Sequence, residues 1–201
     1  MIPAPRPLHT GRLVLTPENA AAMVPADALA DRLRRLGLIA GALPGAGDAF
    51  APGDAFLELI AFTGCAVQLD QASADPDPAG TAPAGHRGQS HVRLPEPTSK
   101  PGLITGRNTR PPRCPACGQG LKDWREQLLA WPGAGPASLV CGHCGADAPA
   151  WRWRWGRHGG SGRSFVCIEG VFPGEASPLP ALLDALAALG AGPWRAFYIQ
   201  D

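Results

Sequence analysis

Four of the six cysteines form two pairs of the same spacing, Cys114-Pro-Ala-Cys117 and Cys141-Gly-His-Cys144. Twenty-three residues separate the inner cysteines, and a glycine follows each pair. A two-residue spacer lets both sulfurs of a pair point inward from one tight turn, and the glycine permits the backbone conformation that such a turn needs. Four thiolates arranged as two such pairs bind one tetrahedral metal ion, which is usually zinc. The sequence therefore predicts a metal site formed by these four cysteines.

The two Cys-x-x-Cys-Gly motifs resemble the knuckles of zinc-ribbon and rubredoxin-like modules, and the resemblance covers about residues 111–147 of the 201. It implies a structural Zn²⁺ ion, because four cysteines leave no open coordination position. Three alternatives stay open. Iron could occupy the same ligands, as it does in rubredoxin. Cys114 and Cys117 could form a redox dithiol, although the preceding residues 108–113 are not the apolar strand typical of one. A catalytic zinc would need a His-Glu-x-x-His or similar motif, which the sequence lacks.

Basic residues concentrate around these cysteines. Residues 85–164 contain twelve Lys and Arg residues against four acidic ones, a net charge of +8, whereas residues 1–84 carry −4 and residues 165–201 carry −3. A basic segment of this kind can bind phosphate or an acidic protein surface, or it can pair with the acidic ends of its own chain. The proline-rich stretch before the first cysteine pair contains three arginines that could bind an anion, Arg107, Arg110 and Arg113.

Tryptophan and arginine alternate strictly over residues 151–155. The alternation predicts a strand with one face formed by Trp151, Trp153 and Trp155 and the other by Arg152 and Arg154. The indoles either pack on the metal module while the arginines are solvated, or stack on nucleic-acid bases while the arginines contact phosphates. The sequence leaves both interpretations open.

The segments that must support the module show helical and strand patterns. Leucines at helical spacing predict a helix from Pro25 to about Ile39, and Ser177-Pro178 is a typical helix start. Residues 54–62 fit a helix capped by Asp54 or a buried strand. Glycines suggest a turn over 156–162 that joins 151–155 and 163–172 in a hairpin. Further strands are predicted at 13–16, 65–69, 91–94 and 194–200, the last parallel to the strand at 163–172.

Two cysteines and two glutamates remain. Cys65 and Cys167 lie in apolar stretches, which is typical of buried, unreactive thiols, and their spacing to His86 and His91 does not indicate a second metal site. Glu169 and Glu175 have no nucleophile or histidine beside them, so the sequence predicts no acid–base pair. Glu175 is expected to favour the N-terminus of the following helix.

The predicted fold class is α+β, with a small mixed sheet, two or three helices and an inserted four-cysteine zinc ribbon. Residues 1–70 and the β-α-β segment 159–201 would form the body, 111–158 the ribbon module, and 71–110 a flexible Pro- and Gly-rich linker and loop. The N-terminus does not look like a secretory signal, and no run of 18 apolar residues occurs. Paired cysteines in such a chain lead us to expect a cytoplasmic protein with no membrane segment.

The leading functional expectation is a non-enzymatic zinc-binding adaptor whose partner is a protein or an anionic macromolecule. The alternative is binding of single-stranded RNA or DNA through the arginines and tryptophans. A further alternative is an enzyme that holds an anionic substrate with the arginines at 107–113. The sequence contains no catalytic triad, phosphate-binding loop or nucleotide fingerprint that would favour the enzyme.

Overall fold

A computed structural model describes residues 11–63, 90–132 and 137–200 of the chain. Within these ranges the architecture is α+β, as predicted. The helices are α1 (Ala26–Arg35), α2 (Phe56–Leu59), α3 (Trp124–Leu129) and α4 (Pro180–Ala187). The strands are β1 (Gly11–Pro17), β2 (Ile39–Ala42), β3 (Ala49–Pro52), β4 (Ile60–Phe62), β5 (His91–Arg93), β6 (Gly102–Thr105), β7 (Ser138–Val140), β8 (Asp147–Pro149), β9 (Gly159–Gly162), β10 (Val166–Val171), β11 (Ala176–Pro178) and β12 (Trp194–Gln200).

The main sheet has six strands in the order β12-β1-β10-β5-β3-β2, and each pairs with its neighbours in antiparallel fashion. Three two-stranded ladders, β4–β11, β6–β9 and β7–β8, complete the paired strands of the described ranges. The predicted parallel strands β10 and β12 run in the same direction but are not paired with each other. β1 lies between them, and α4 forms part of the connection.

The main core lies between one face of this sheet and helices α1, α2 and α4. β1 contributes Leu13 and Leu15 to that face, and α1 contributes Leu29 and Leu33, whose spacing was the sequence signal for the helix. All four side chains are at most 2% exposed. The predicted helix ends earlier than expected, at Arg35, and Ile39 already belongs to β2.

The opposite face of the sheet is covered by the β6–β9 ladder. β9 is the sequence Gly-Gly-Ser-Gly, and all four of its residues are buried. A methyl group on Gly160 would collide with the ring of Phe197, and one on Gly162 with the hydroxyl of Thr16. The predicted turn over 156–162 is therefore wrong for 159–162. These glycines form a strand because only a backbone without side chains can approach the sheet so closely.

Other element predictions need correction. Residues 54–62 form one helical turn, α2, followed by β4, so each of the two alternatives is partly right. The last helix begins at Pro180, because the segment Ala176–Pro178 pairs with β4. The predicted strand at 65–69 lies outside the described residues.

The predicted strand over 151–155 is wrong. Ala150–Arg152 is a 3₁₀ turn, and only Arg154 then forms an isolated bridge, with Arg113. The predicted hairpin with 163–172 is absent as well, because β10 pairs instead with β1 and β5.

Candidate metal centre

The four predicted cysteine ligands converge at one point. All four Sγ atoms of Cys114, Cys117, Cys141 and Cys144 lie within 4.8 Å of one another. The Sγ atoms of Cys114 and Cys144 are 3.8 Å apart, and those of Cys117 and Cys141 are 3.7 Å apart. A disulfide would bring two sulfurs to about 2.05 Å. Four sulfurs placed about 2.3 Å from a central ion at tetrahedral angles would be about 3.8 Å apart, so the group has the dimensions of a metal site.

Two backbone turns of the same geometry hold these sulfurs. We call residues 114–118 the first knuckle and residues 141–145 the second knuckle. In the first, the N–H of Gly118 donates to the carbonyl of Cys114 (3.0 Å), and in the second the N–H of Gly145 donates to the carbonyl of Cys141 (2.8 Å). The two glycines have φ angles of 76° and 71°. These left-handed conformations explain why a glycine follows each cysteine pair.

Backbone N–H groups also point at the sulfurs. The N–H of Cys117, followed by that of Ala116, lowers the pKa of Cys114 to about 6. The corresponding N–H groups of Cys144 and His143 lower the pKa of Cys141. This arrangement favours the thiolate, which is the form of cysteine that binds metal.

The raised pKa of Cys117 indicates that a cation would stabilise the four-cysteine group. The N–H of Gln119 lowers the pKa of Cys117, but burial and the neighbouring sulfurs outweigh that effect and raise the pKa to about 12. Four thiolates this close together repel one another, so the group cannot carry its full negative charge alone. A divalent cation at the centre would remove this repulsion.

A small apolar core lies beneath the metal centre. It includes Cys114 and Cys141, which are buried, whereas Cys117 and Cys144 face outward. The rings of Trp124 and Trp155 meet edge to face with their centroids 5.2 Å apart. The second knuckle is the turn of the β7–β8 hairpin, and the first lies between β6 and α3. His143 is exposed in the second knuckle.

The three tryptophans of 151–155 have different environments. Trp153 and Trp155 are 3% and 4% exposed, and their indole N–H groups donate to the carbonyls of Ala148 (3.2 Å) and Ala150 (2.8 Å). Trp151 is half-buried. Two of the three predicted stacking residues therefore belong to the core of the module, and the alternation reflects burial even though the backbone is not a strand.

The structure places two of the predicted arginines beside the first knuckle. Arg113 and Arg154 bond to each other through their backbones, with N···O distances of 2.9 and 3.1 Å. Nη2 of Arg154 donates to the carbonyl of Cys114, and Nη1 of Arg113 donates to that of Gly118, both at 3.4 Å. Both side chains thus bring positive charge to a site built from four sulfurs.

The remaining predicted arginines, Arg107, Arg110 and Arg152, are exposed. Together with Arg113 and Arg154, they form no ion pair with any acidic residue in the described parts of the chain. Arg107 instead uses its backbone N–H, which donates to the carbonyl of Gln200 (2.8 Å). We call the exposed group Arg110, Arg113 and Arg154 the arginine surface.

Two residues that the sequence reasoning did not assign attach the module to the main sheet. Asn108 donates to the carbonyl of Tyr198 and accepts from the N–H of Gln200, both at 3.0 Å, and so binds the edge of β12. Arg125 stacks on Trp124 (4.3 Å) and donates to the carbonyl of Gly106 (3.1 Å). The partners of Asn108 on β12 are 90 and 92 residues away, and Gly106, the loop residue that Arg125 binds, is 19 residues away, so no local pattern could have revealed either contact.

The leftover residues that the structure describes form no second metal site. Burial raises the pKa of Cys167 to about 12, which fits an unreactive thiol. Glu169 pairs with Arg12 (3.5 Å). The carboxylate of Glu175 accepts from the N–H of Phe172 (2.9 Å) and closes a turn, so its expected role at the start of the last helix is wrong. Cys65 and His86 lie outside the described residues.

Fold and site together define an α+β protein with a four-cysteine centre suited to one metal ion. Compared with protein-family models, with curated proteins and with solved structures, the chain matches none of them. None of the helices in the described ranges is long and apolar enough to cross a membrane.

Proposed function

We propose that Cys114, Cys117, Cys141 and Cys144 hold one structural zinc ion in a non-enzymatic cytoplasmic protein that binds an acidic partner protein. The observation that carries the metal assignment is the spacing of 3.7 and 3.8 Å between sulfurs of opposite knuckles. Four cysteines fill a tetrahedral site, so the ion would stabilise the module and would have no position for a substrate. Zinc is preferred over iron because it is the usual ion of closed structural sites.

Metal analysis of the purified protein tests this assignment. We expect one zinc per chain, and Co²⁺ exchanged into the site should give the visible absorption of a tetrahedral thiolate complex. Cys117→Ser should lose the metal, whereas the matched control Cys167→Ser should retain it, because Cys167 is buried in β10 away from the group. One iron per chain, with the colour of rubredoxin, would identify the ion as iron and not zinc. A metal-free protein would refute the assignment of a metal site.

The arginine surface is the proposed contact for the partner. Its three guanidinium groups are exposed and have no acidic partner among the described residues. Such a surface attracts an acidic protein segment, and the attraction weakens as salt screens it. The charge excess of the segment around the cysteines supports this interaction.

A poly-glutamate peptide is a suitable first probe. The double substitution Arg110→Gln/Arg154→Gln should weaken its binding about tenfold at low salt, while Arg35→Gln on α1 should not. Arg35 is equally exposed but lies on another element. Equal binding by both variants would contradict the assignment of this surface.

Single-stranded nucleic acid is the second candidate ligand, favoured by the same exposed arginines. Comparing the affinity for an oligonucleotide with the affinity for poly-glutamate under the same conditions distinguishes the two candidate ligands. Stronger binding of the oligonucleotide, with a steeper decrease in salt, would favour the nucleic-acid function. The enzyme alternative gains no support from the positions of Glu169 and Glu175, since each is engaged by another part of its own fold.

A further inference from the structure

A cleft of about 330 Å³ lies between the metal module and the β6–β9 ladder. Leu103, Leu128 and Trp151 form its apolar walls, and Thr98, Ser99 and Lys100 contribute polar groups. This volume falls in the lower range of small-molecule sites, which combine apolar walls with a few polar groups in the same way. The cleft is separate from the arginine surface, although Trp151 follows the module's second hairpin.

Of the three tryptophans in residues 151–155, Trp151 is the one that is not part of the buried core of the module. Its indole N–H makes no hydrogen bond within the described ranges, in contrast to those of Trp153 and Trp155. The guanidinium of Arg152 lies 5.8 Å from its ring centroid. Trp151 therefore contributes an aromatic side chain to the lining of the cleft, with a positive charge beside its ring.

Hydrogen bonds fix both sides of the cleft. On one side, Thr98 and Arg163 are joined twice, by the Thr98 N–H to the Arg163 carbonyl (3.0 Å) and by Arg163 Nε to the Thr98 carbonyl (2.8 Å). The hydroxyl of Thr98 also donates to the carbonyl of Lys100 (2.6 Å). On the other side, the hydroxyl of Ser161 donates to the carbonyl of Trp151 (3.1 Å). The walls are held in place before a ligand arrives, which reduces the entropy lost on binding.

The charged groups that line the cleft favour an anionic ligand. Lys100 is the sole charged residue among those that line it, and no carboxylate lines it. A second groove, between α1 and β3, differs in this respect, because Asp27, Asp31, Asp48 and Glu96 line it. An aromatic surface with Lys100 and Arg152 nearby suits a flat ring that carries a phosphate.

We propose that this cleft binds a nucleotide, with the base stacked on Trp151 and the phosphate near Lys100 and Arg152. This ligand goes beyond the acidic partner protein, and its site needs the module folded but does not need the arginine surface. The same chemistry has two sources, a free nucleotide or one nucleotide of a single strand. Stacking on an aromatic side chain tolerates any base, so purine nucleotides, which stack more extensively, should bind more tightly than pyrimidine nucleotides.

The test is calorimetric titration of the zinc-loaded protein with AMP, CMP and a short single-stranded oligoadenylate at low salt. Trp151→Ala should weaken binding about tenfold or more, and Trp151→Phe should weaken it less because it keeps an aromatic ring. Lys100→Gln should also weaken it, and more so at low salt. Matched controls are Trp131→Phe and Lys122→Gln, since both residues are exposed and neither lines the cleft.

Each outcome has a defined meaning. Binding of AMP at least as tight as that of the oligonucleotide assigns a free nucleotide, and binding of the oligonucleotide alone assigns a strand. No binding of any probe, or Trp151 and Lys100 variants that bind like the wild type, overturns the proposal. Zinc content and poly-glutamate binding, measured on the same variants, show separately whether the module and the arginine surface are intact.

Discussion

The side chains of Arg113 and Arg154 donate hydrogen bonds to backbone carbonyl groups of the first knuckle, and not to the sulfurs of the candidate metal centre. A divalent ion with four thiolates carries a net charge of about −2. Two guanidinium groups that donate to the carbonyls of Cys114 and Gly118 place positive charge close to that complex. Residues around a metal site tune its affinity in this way, so we expect both arginines to stabilise the loaded state.

Arg154→Gln should therefore accelerate the release of zinc to a colorimetric chelator. We expect a rate about three- to tenfold higher, at or below the lower end of the effects seen for residues that support metal ligands, because both arginines bond to backbone carbonyls and not to the ligands' sulfurs. Glutamine removes the charge and is too short to keep the bond to the carbonyl of Cys114, so the variant tests the contribution of the whole guanidinium group. Arg35→Gln on α1 is the control, and a release rate equal to that of the control would mean that the charge of Arg154 does not stabilise the site.

Residues differ in how far the sequence could predict their roles. The cysteines were predictable because two-residue spacing fixes a local turn, and the turn alone orients the sulfurs. Asn108 and Arg125 were not, because their roles depend on which strand edge or loop lies beside them in space. Trp151, Trp153 and Trp155 share one sequence pattern, and only the packing of the module separates the half-buried ring from the two buried ones.

Strand β9 can form only because most of its residues are glycines, which have no side chain. The segment Gly159–Gly162 has the composition of a turn, yet it is a buried strand paired with β6. Position 160 is tightly packed, because an added Cβ would collide with the Phe197 ring and lie 2.8 Å from Nη2 of Arg195. Phe197 is fully buried and cannot move aside easily. Helices α1 and α4 and strand β1, by contrast, were predictable because their leucines show the period of the element.

Gly160→Ala should destabilise the protein by about 1–3 kcal/mol, the usual cost of adding a methyl group to a packed interior. Gly41→Ala is the control, because an added Cβ at this strand position has no atom within 4 Å. Its effect should stay within about 0.5 kcal/mol. Chemical denaturation of both variants with zinc bound compares them directly, and equal midpoints would show that β9 does not pack as closely as the structure indicates.

At the scale of the whole molecule, the buried apolar residues of the described ranges form three clusters. The largest joins the main sheet to its helices, a second lies under the metal centre, and a third, smaller one, which includes Val14 and Phe197, lies on the opposite face of the sheet. The cluster under the metal centre contains two of the cysteine ligands themselves. Such a core is too small to be stable by burial alone, so the free energy of metal binding should supply much of its stability.

Removing zinc with a chelator should therefore unfold the metal module and leave the main sheet folded. Hydrogen exchange followed by mass spectrometry can resolve the two regions. We expect the amides of Cys114, Leu139 and Cys141 to lose protection on chelation, while those of Leu13 and Leu15 in β1 keep it, because the core around them contains none of the four ligands. Cys117→Ser should show the same pattern without a chelator, and Cys167→Ser should match the zinc-loaded protein. Loss of protection in β1 at the same zinc concentration would mean that module and sheet fold as one unit, and unchanged protection at Leu139 would mean that the module is stable without its metal.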